Sequence, residues 1–274
     1  MGTRTCYASG RRTRILGTVR LQPSRRSVAR GKVLVSGLTP WHVGTLIDAV
    51  PLNPKARSIT FEVPDWRGNL AGQHLDVRLT APDGYQAVRS YSIASSGPGT
   101  RVELAIDKLP DGEVSPFLVD GLEIGDSVEL RGPLGGWFVW TEELHVPIQL
   151  IAGGSGVVPF IAMARRHKLT GSTIPMHLLY SLRGPNDAFY REELALLNED
   201  VDVTWHYTRV APQGWGAEPR RLTHSDLKAA LLPPEGDTRV YICGPTEFVE
   251  TVAEALGDLG YPSESIRTER FGGT

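Results

Sequence analysis

Ile148-Gln149-Leu150-Ile151-Ala152-Gly153-Gly154-Ser155-Gly156-Val157-Val158-Pro159 is an apolar run that ends in a glycine turn. The run reads as a buried parallel strand, because such strands bury both faces and lose the polar alternation. The turn delivers the chain to a helical segment extending to about Lys168. Glycines here let backbone amides approach an anion, and a helix N-terminus favours negative charge. Strand–helix turns often contain glycine without binding anything. This one also lacks the last glycine of G-x-G-x-x-G, where Pro159 stands.

Downstream, strands are expected over 176–182, 201–208, 239–243 and 265–271. Helices are expected over 187–198, 225–231 and 247–259. Regular alternation of the two predicts a parallel α/β sheet. Upstream, short β-branched runs at 42–52, 58–64, 74–80, 89–95, 101–109 and 127–135 are separated by turn signals such as Pro82-Asp83-Gly84 and Gly125-Asp126. Six short strands with tight turns predict an antiparallel β-barrel. Ser115-Pro116-Phe117-Leu118-Val119 reads as a short helix, with Ser115 as N-cap and Pro116 at its first position. The halves meet near 141–145, giving a barrel domain over 39–142 and an α/β domain over 146–274.

Two domains suit 274 residues with 41% apolar and 22% charged side chains. Residues 1–40 hold eight Arg and one Lys and no acid. Subtracting these nine from the 29 basic residues leaves 20 against 31 Asp and Glu, so an acidic body carries a basic arm. Residues 1–38 show no periodicity and read as a disordered basic leader. An organelle transit peptide or an arm for an anionic surface are the sharper alternatives. No membrane span is expected, since no run of about 18 apolar residues occurs. Cys6 and Cys243 are the only cysteines. They give neither a disulfide framework nor a four-cysteine iron–sulfur site, and a cytoplasmic location is expected. No metal site and no nucleic-acid partner are expected.

Two further stretches carry chemistry. Arg89-Ser90-Tyr91-Ser92 offers a cation for phosphate, an aromatic plane and two hydroxyls. Alone it is equally a half-exposed strand whose arginine pairs with a carboxylate. Asp111-Gly112-Glu113-Val114-Ser115 follows as a second turn able to hold an anion. Then come Arg131-Gly132-Pro133-Leu134-Gly135, the turn Gly153–Gly156, Tyr241-Ile242-Cys243-Gly244-Pro245 and Glu269-Arg270-Phe271.

In this order and spacing, residues 41–274 resemble the ferredoxin–NADP reductase superfamily. The resemblance implies FAD in the barrel and a nicotinamide nucleotide in the α/β half, with hydride passing from nicotinamide C4 to flavin N5. It implies that Arg89 binds the flavin pyrophosphate, Tyr91 packs on the isoalloxazine and ribitol, and Ser92 lies near N5, with Ser90 between them. It places the pyrophosphate also on Gly112, Glu113, Val114 and Ser115. The nucleotide's pyrophosphate would fall on Gly153, Gly154, Ser155 and Gly156. Cys243, Gly244 and Pro245 would lie beside the nicotinamide, and Glu269 and Phe271 beside the flavin. Ser92, Cys243, Glu269 and Phe271 are thus the expected catalytic set. A buried cysteine at a strand end is also common packing.

An acid ending the second parallel strand would favour NADH. Here that strand ends in Ser181-Leu182-Arg183 at the nucleotide site, and Arg183 with Arg209, and Arg220 or Arg221 beyond, favour the 2′-phosphate of NADPH, although Asp187 is close and surface charge is the plainer reading. Family members often carry a fused plant-type [2Fe–2S] domain, and no C-x₄-C-x₂-C occurs in these residues. Electrons are therefore expected to leave to a separate protein such as a ferredoxin, a haem protein or an oxygenase component. A free flavin or quinone reductase is the alternative among enzymes. A redox sensor without turnover is the alternative outside them.

Overall fold

The structure is a computed structural model and describes residues 39–234 and 237–272. The basic leader expected over residues 1–38 lies outside the described residues.

Six antiparallel strands form the first half: β1 (Trp41–Asn53), β2 (Ala56–Glu62), β3 (His74–Thr80), β4 (Gln86–Ser92), β5 (Arg101–Asp107) and β6 (Ser127–Leu134). Their order is β4-β3-β6-β1-β2-β5. A bridge between Ile93 and Leu104 closes this sheet towards a barrel, and the Ala94 N–H donates to Glu103 O at 2.8 Å. Leu46, Ile59, Phe61, Leu75, Val77, Leu104 and Leu130 fill its interior.

Strand β4 starts and ends three residues earlier than the expected 89–95. The Pro82–Gly84 turn, with Gly84 at φ 88°, is tight enough for Gln86, Ala87 and Val88 to pair with Thr80, Leu79 and Arg78. Beyond Ser92 the chain turns away from β3 towards β5. The short helix expected from Ser115 is wound as a π-type turn over Phe117–Gly121, after one ordinary helical bond from Leu118 N–H to Val114 O.

The second half is a parallel sheet of β7 (Ile148–Gly153), β8 (Met176–Leu182), β9 (Asp202–Tyr207), β10 (Arg239–Pro245) and β11 (Ile266–Phe271), in the order β11-β10-β7-β8-β9. All six residues of central β7 are buried, as its unbroken apolar run requires. Helices α1 (Val158–Thr170), α2 (Arg191–Leu196), α3 (His224–Ala230) and α4 (Thr246–Asp258) connect the strands. Helix α1 ends on Gly171 in the left-handed conformation, whose N–H meets the Lys168 carbonyl. Thr223 and Asp226 cap α3 reciprocally. Helix α2 is shorter than the expected 187–198. Tyr190 takes φ 53° just before it, and the Phe189 N–H donates to the Tyr180 hydroxyl instead of a helical carbonyl.

One sheet face, with Ile151, Leu179 and Ile242, packs on α3 and α4. The other, with Leu150, Tyr180, Tyr241 and Cys243, packs on α1 and also on Ala71, Ala94, Ala105, Phe138 and Trp140 from the barrel side. An apolar core thus runs through the junction of the halves. Phe138 and Tyr241 meet edge to face at 5.3 Å.

Candidate active site

Arg89 sits mid-strand on β4 opposite Val77 and is exposed. Its Nη2 donates to Glu113 Oε2 at 2.6 Å, and Tyr85 Oη donates to Glu113 Oε1 at 2.8 Å. Arg89 and Glu113, each expected at the flavin site, are thus in contact, as an ion pair. Ser90 Oγ donates to Asp76 at 2.6 Å, and Asp76 also receives Arg131. Burial pushes Asp76 up, but the Ser90 and Arg131 contacts outweigh it and hold the carboxyl below its ordinary range. Tyr91 is half-buried against the barrel core, and burial pushes its phenol up to about 12 despite nearby Arg89.

The 109–115 turn closes on itself: Gly112 N–H donates to Leu109 O at 2.9 Å, and Leu109 N–H donates to Ser115 Oγ at 3.0 Å. A Cβ at Gly112 would stand 3.0 Å from Ser115 Oγ. Ser115 is buried, so its hydroxyl first serves the turn. Among the described residues no protein acceptor takes the N–H groups of Glu113, Val114 or Ser115. Three consecutive unclaimed amides beside Arg89 suit an anion.

At the junction, Ser92 is in register with His74 on β3, and His74 Nδ1 lies 3.2 Å from Glu269 Oε1 on β11. Cys243 is in register with Glu269 on the parallel sheet. Ser92 and Glu269 of the expected catalytic set therefore flank His74, which was not among the expected site residues, and Cys243 lies beside Glu269. The hydrogen bond to Glu269 raises the His74 pKa above its ordinary value, burial opposing it. Among the described residues the Ser92 hydroxyl has no partner, and Glu269 Oε2 is buried without a hydrogen bond. Cys243 is 1% exposed, and burial and then the Glu269 charge push its thiol well up. Phe271, in register with Pro245, is 37% exposed and flanks this group without joining it.

The β7–α1 turn has a double character. A Cβ at Gly156 would stand 2.2 Å from Cys243 O, and one at Gly153 or Gly244 would strike Phe248 at 2.7 Å. These three glycines let the turn cross the end of β10 at backbone contact. Gly154, at φ 56°, has nothing within 4 Å of a built Cβ and faces open space with half-exposed Ser155. Ser181 is buried at the end of β8, between Gly153 and His206 in register. The Arg183 carbonyl receives the Arg209 and Val210 N–H groups at 3.0 and 2.9 Å, so the two arginines share one corner. The Arg183 charge acts on Asp107 of the barrel, whose carboxyl burial nonetheless raises. Arg220 is bound to Asp226 and Arg221 to Glu247. Among the described residues Arg209 has no carboxylate partner. It lines a groove of about 550 Å³ with Pro212, Trp215 and Glu218.

Residues 44–139 match the oxidoreductase FAD-binding domain family and residues 150–254 the oxidoreductase NAD-binding domain family. The NADH-cytochrome b5 reductase 1 of Aspergillus oryzae is 30% identical over 200 residues, spanning 69% of this chain and 68% of that protein. The chain belongs to the ferredoxin–NADP reductase superfamily. The reductase component of propane 2-monooxygenase from Rhodococcus jostii (strain RHA1) is 32% identical over 211 residues, covering 73% of this chain and 55% of the relative. The chain thus spans little more than half the length of that curated relative. A ferredoxin NADP+ reductase from Neisseria gonorrhoeae with bound FAD and NADP superposes with a TM-score of 0.71, at 21% identity, over 84% of this chain and 98% of that one. That structural likeness shows the superfamily's two-domain fold.

The residues present suit the two cofactors of this superfamily. The unclaimed amides at 113–115 and Arg89 form a cradle on the barrel side. The open face of Gly154 forms one on the nucleotide side, and the orphaned Glu269 Oε2 and free Ser92 hydroxyl lie between. Among the described residues no helix is long and apolar enough to cross a membrane.

Proposed function

We propose that this protein oxidises NAD(P)H and passes the electrons through FAD to a separate redox protein. The observation that carries the reading is the meeting of Ser92 and His74 from the barrel with Glu269 and Cys243 from the parallel sheet. Bound FAD would accept a hydride from the nicotinamide and release its electrons singly. The rest falls to side chains. Arg89 and the amides of Glu113–Ser115 bind the flavin pyrophosphate, Gly112 shaping their turn. Tyr91 lies along the flavin, Ser90 is anchored by Asp76, and Ser92 offers a hydroxyl at the reacting edge. Gly153–Gly156 receive the nucleotide pyrophosphate, and Ser181 lines that crevice. Cys243, Gly244 and Pro245 wall the nicotinamide side. Glu269 and His74 hold a proton at the junction, and Phe271 covers it from solvent. We assign the flavin half to residues 39–142 and the nucleotide half to 146–274.

NADPH is the donor this reading favours, through Arg209 with Arg183 at the crevice beyond β8 and β9. The Arg183 charge also acts on Asp107 of the barrel, which leaves Arg209, beside Trp215, as the stronger clamp. The relatives named for NADH make the comparison of donors necessary. For the acceptor, relatives that are oxygenase reductase components and cytochrome b5 reductases support an oxygenase component or a haem protein. We place the activity in the cytoplasm.

Anaerobic stopped-flow mixing of the FAD-loaded chain with each nucleotide tests the reading. Bleaching of the flavin is expected, faster with NADPH, and Arg209→Ala should remove that preference. A chain that takes up no FAD, or FAD that neither nucleotide bleaches, would sink the proposal.

A further inference from the structure

A second polar cluster joins the halves away from Ser92 and Glu269. Arg165 on α1 donates through Nη1 to Glu103 Oε2 at 2.5 Å and to Ala94 O at 3.1 Å. Its Nε and Nη2 donate to the two Glu193 carboxylate oxygens at 2.5 and 2.8 Å. Tyr190 Oη and Ser58 Oγ each donate to Glu103 Oε1 at 2.8 Å, and the Arg165 guanidinium lies 5.1 Å over the Tyr190 ring. One barrel carboxylate is thus satisfied from both halves. Among the described residues Tyr190 is the one non-glycine at positive φ, a conformation that survives only where surrounding contacts over-determine it. Its hydroxyl bond across the junction is such a contact.

The cluster's position matters more than its strength. Ala94 follows Ser92 by two residues, at the point where the barrel closes on Glu103. Arg165 belongs to the helix entered from the Gly153–Gly156 turn. The strand bearing Ser92 and the helix behind the nucleotide turn are therefore bolted to one guanidinium. Buried ion pairs add little net stability over apolar packing, but they impose geometry. We propose that Glu103, Arg165 and Tyr190 are positioning residues that fix the distance and angle between the flavin and nicotinamide halves. The proposal rests on the function argued above. Reacting atoms must sit about 3–3.5 Å apart for hydride transfer, and a 1 Å error costs roughly a hundredfold.

Two variants of the full chain test it. Tyr190→Phe removes one hydroxyl and keeps the ring, whereas Arg165→Met removes the whole hub. At saturating nucleotide, flavin reduction should slow about threefold in Tyr190→Phe and about tenfold or more in Arg165→Met, with flavin content and nucleotide Kd unchanged. A second measurement needs no cofactor. Spin labels at Leu169→Cys and Ile124→Cys, 75% and 61% exposed and one in each half, report the inter-domain distance in a Cys6→Ser, Cys243→Ser background. The parent should give one narrow distance distribution and both variants a broader one. Unchanged distances in both variants overturn the proposal, and so does a broadened distribution with parental reduction rates. If Arg165→Met does not fold, Tyr190→Phe decides alone. If the parent is not reduced by either nucleotide, the functional reading fails, whereas the distance measurement still judges the cluster.

Discussion

Arg89 meets Glu113 at 2.6 Å, so a pyrophosphate bound at Arg89, as proposed, would compete with a carboxylate. Arg89→Ala should weaken FAD binding about tenfold or more, the scale of a lost charge-assisted bond. Glu113→Gln should tighten it about two- to fivefold, because an exposed pair is a weak competitor. Titration of the apo chain with FAD measures both. Tighter binding by Arg89→Ala would remove the arginine from the site. His74 gives a pH signature. Its folded pKa is raised above the ordinary 6.5 by Glu269, so its contribution is fully present below that value and lost as pH rises through the folded pKa. The loss of melting temperature in His74→Gln should therefore be larger at about pH 6 than at about pH 9. An equal loss at both would show that the contact contributes no proton-linked stability. His74 opens a strand, and nothing local marks it, because its partner belongs to the far end of the chain.

At the scale of elements, the glycine turn divides into packing and opening. Gly156→Ala would drive a methyl into the Cys243 carbonyl, and overpacking of that kind costs roughly 1–3 kcal/mol. Gly154→Ala meets no atom but places an L-residue at φ 56°, for about 1–2 kcal/mol. Urea unfolding should show both losses, whereas nucleotide Kd should rise chiefly in Gly154→Ala among folded variants. A Gly156→Ala protein as stable as the parent would mean the crossing relaxes freely. The sequence made most elements legible, since alternation in 75–79 and 102–106 and the solid run at 148–152 have one reading each. It misplaced β4 because hairpin register depends on the turn before it, and it lengthened α2 because Tyr190 looks helical. The cross-domain bond of its hydroxyl, with the Phe189 N–H bond to the Tyr180 hydroxyl, holds that residue outside the helix.

For the whole molecule, the two-domain order was legible because each half repeats its own texture. The junction was not. Ala71, Ala94 and Ala105 look like ordinary strand and loop residues, yet they pack into the core of the parallel sheet. Likewise Arg165 reads as a surface charge of α1 and is in fact shared between halves. Such contacts join residues far apart in the chain, where periodicity carries no information. The arginines show the same limit, since carboxylate partners for Arg220 and Arg221 emerge only in three dimensions.

Cys243 turns the closed junction into a natural clock. Its sulfur is buried on the sheet face that packs against the barrel, and burial and the Glu269 charge push its thiol up, so alkylation requires that face to open. With Cys6→Ser, the rate of iodoacetamide uptake then counts openings directly. Uptake should slow when NADPH is bound and quicken in Arg165→Met. Uptake as fast as that of a free thiol would mean the halves spend much of their time apart, and the side chain proposed to wall the nicotinamide would be recording its own exposure.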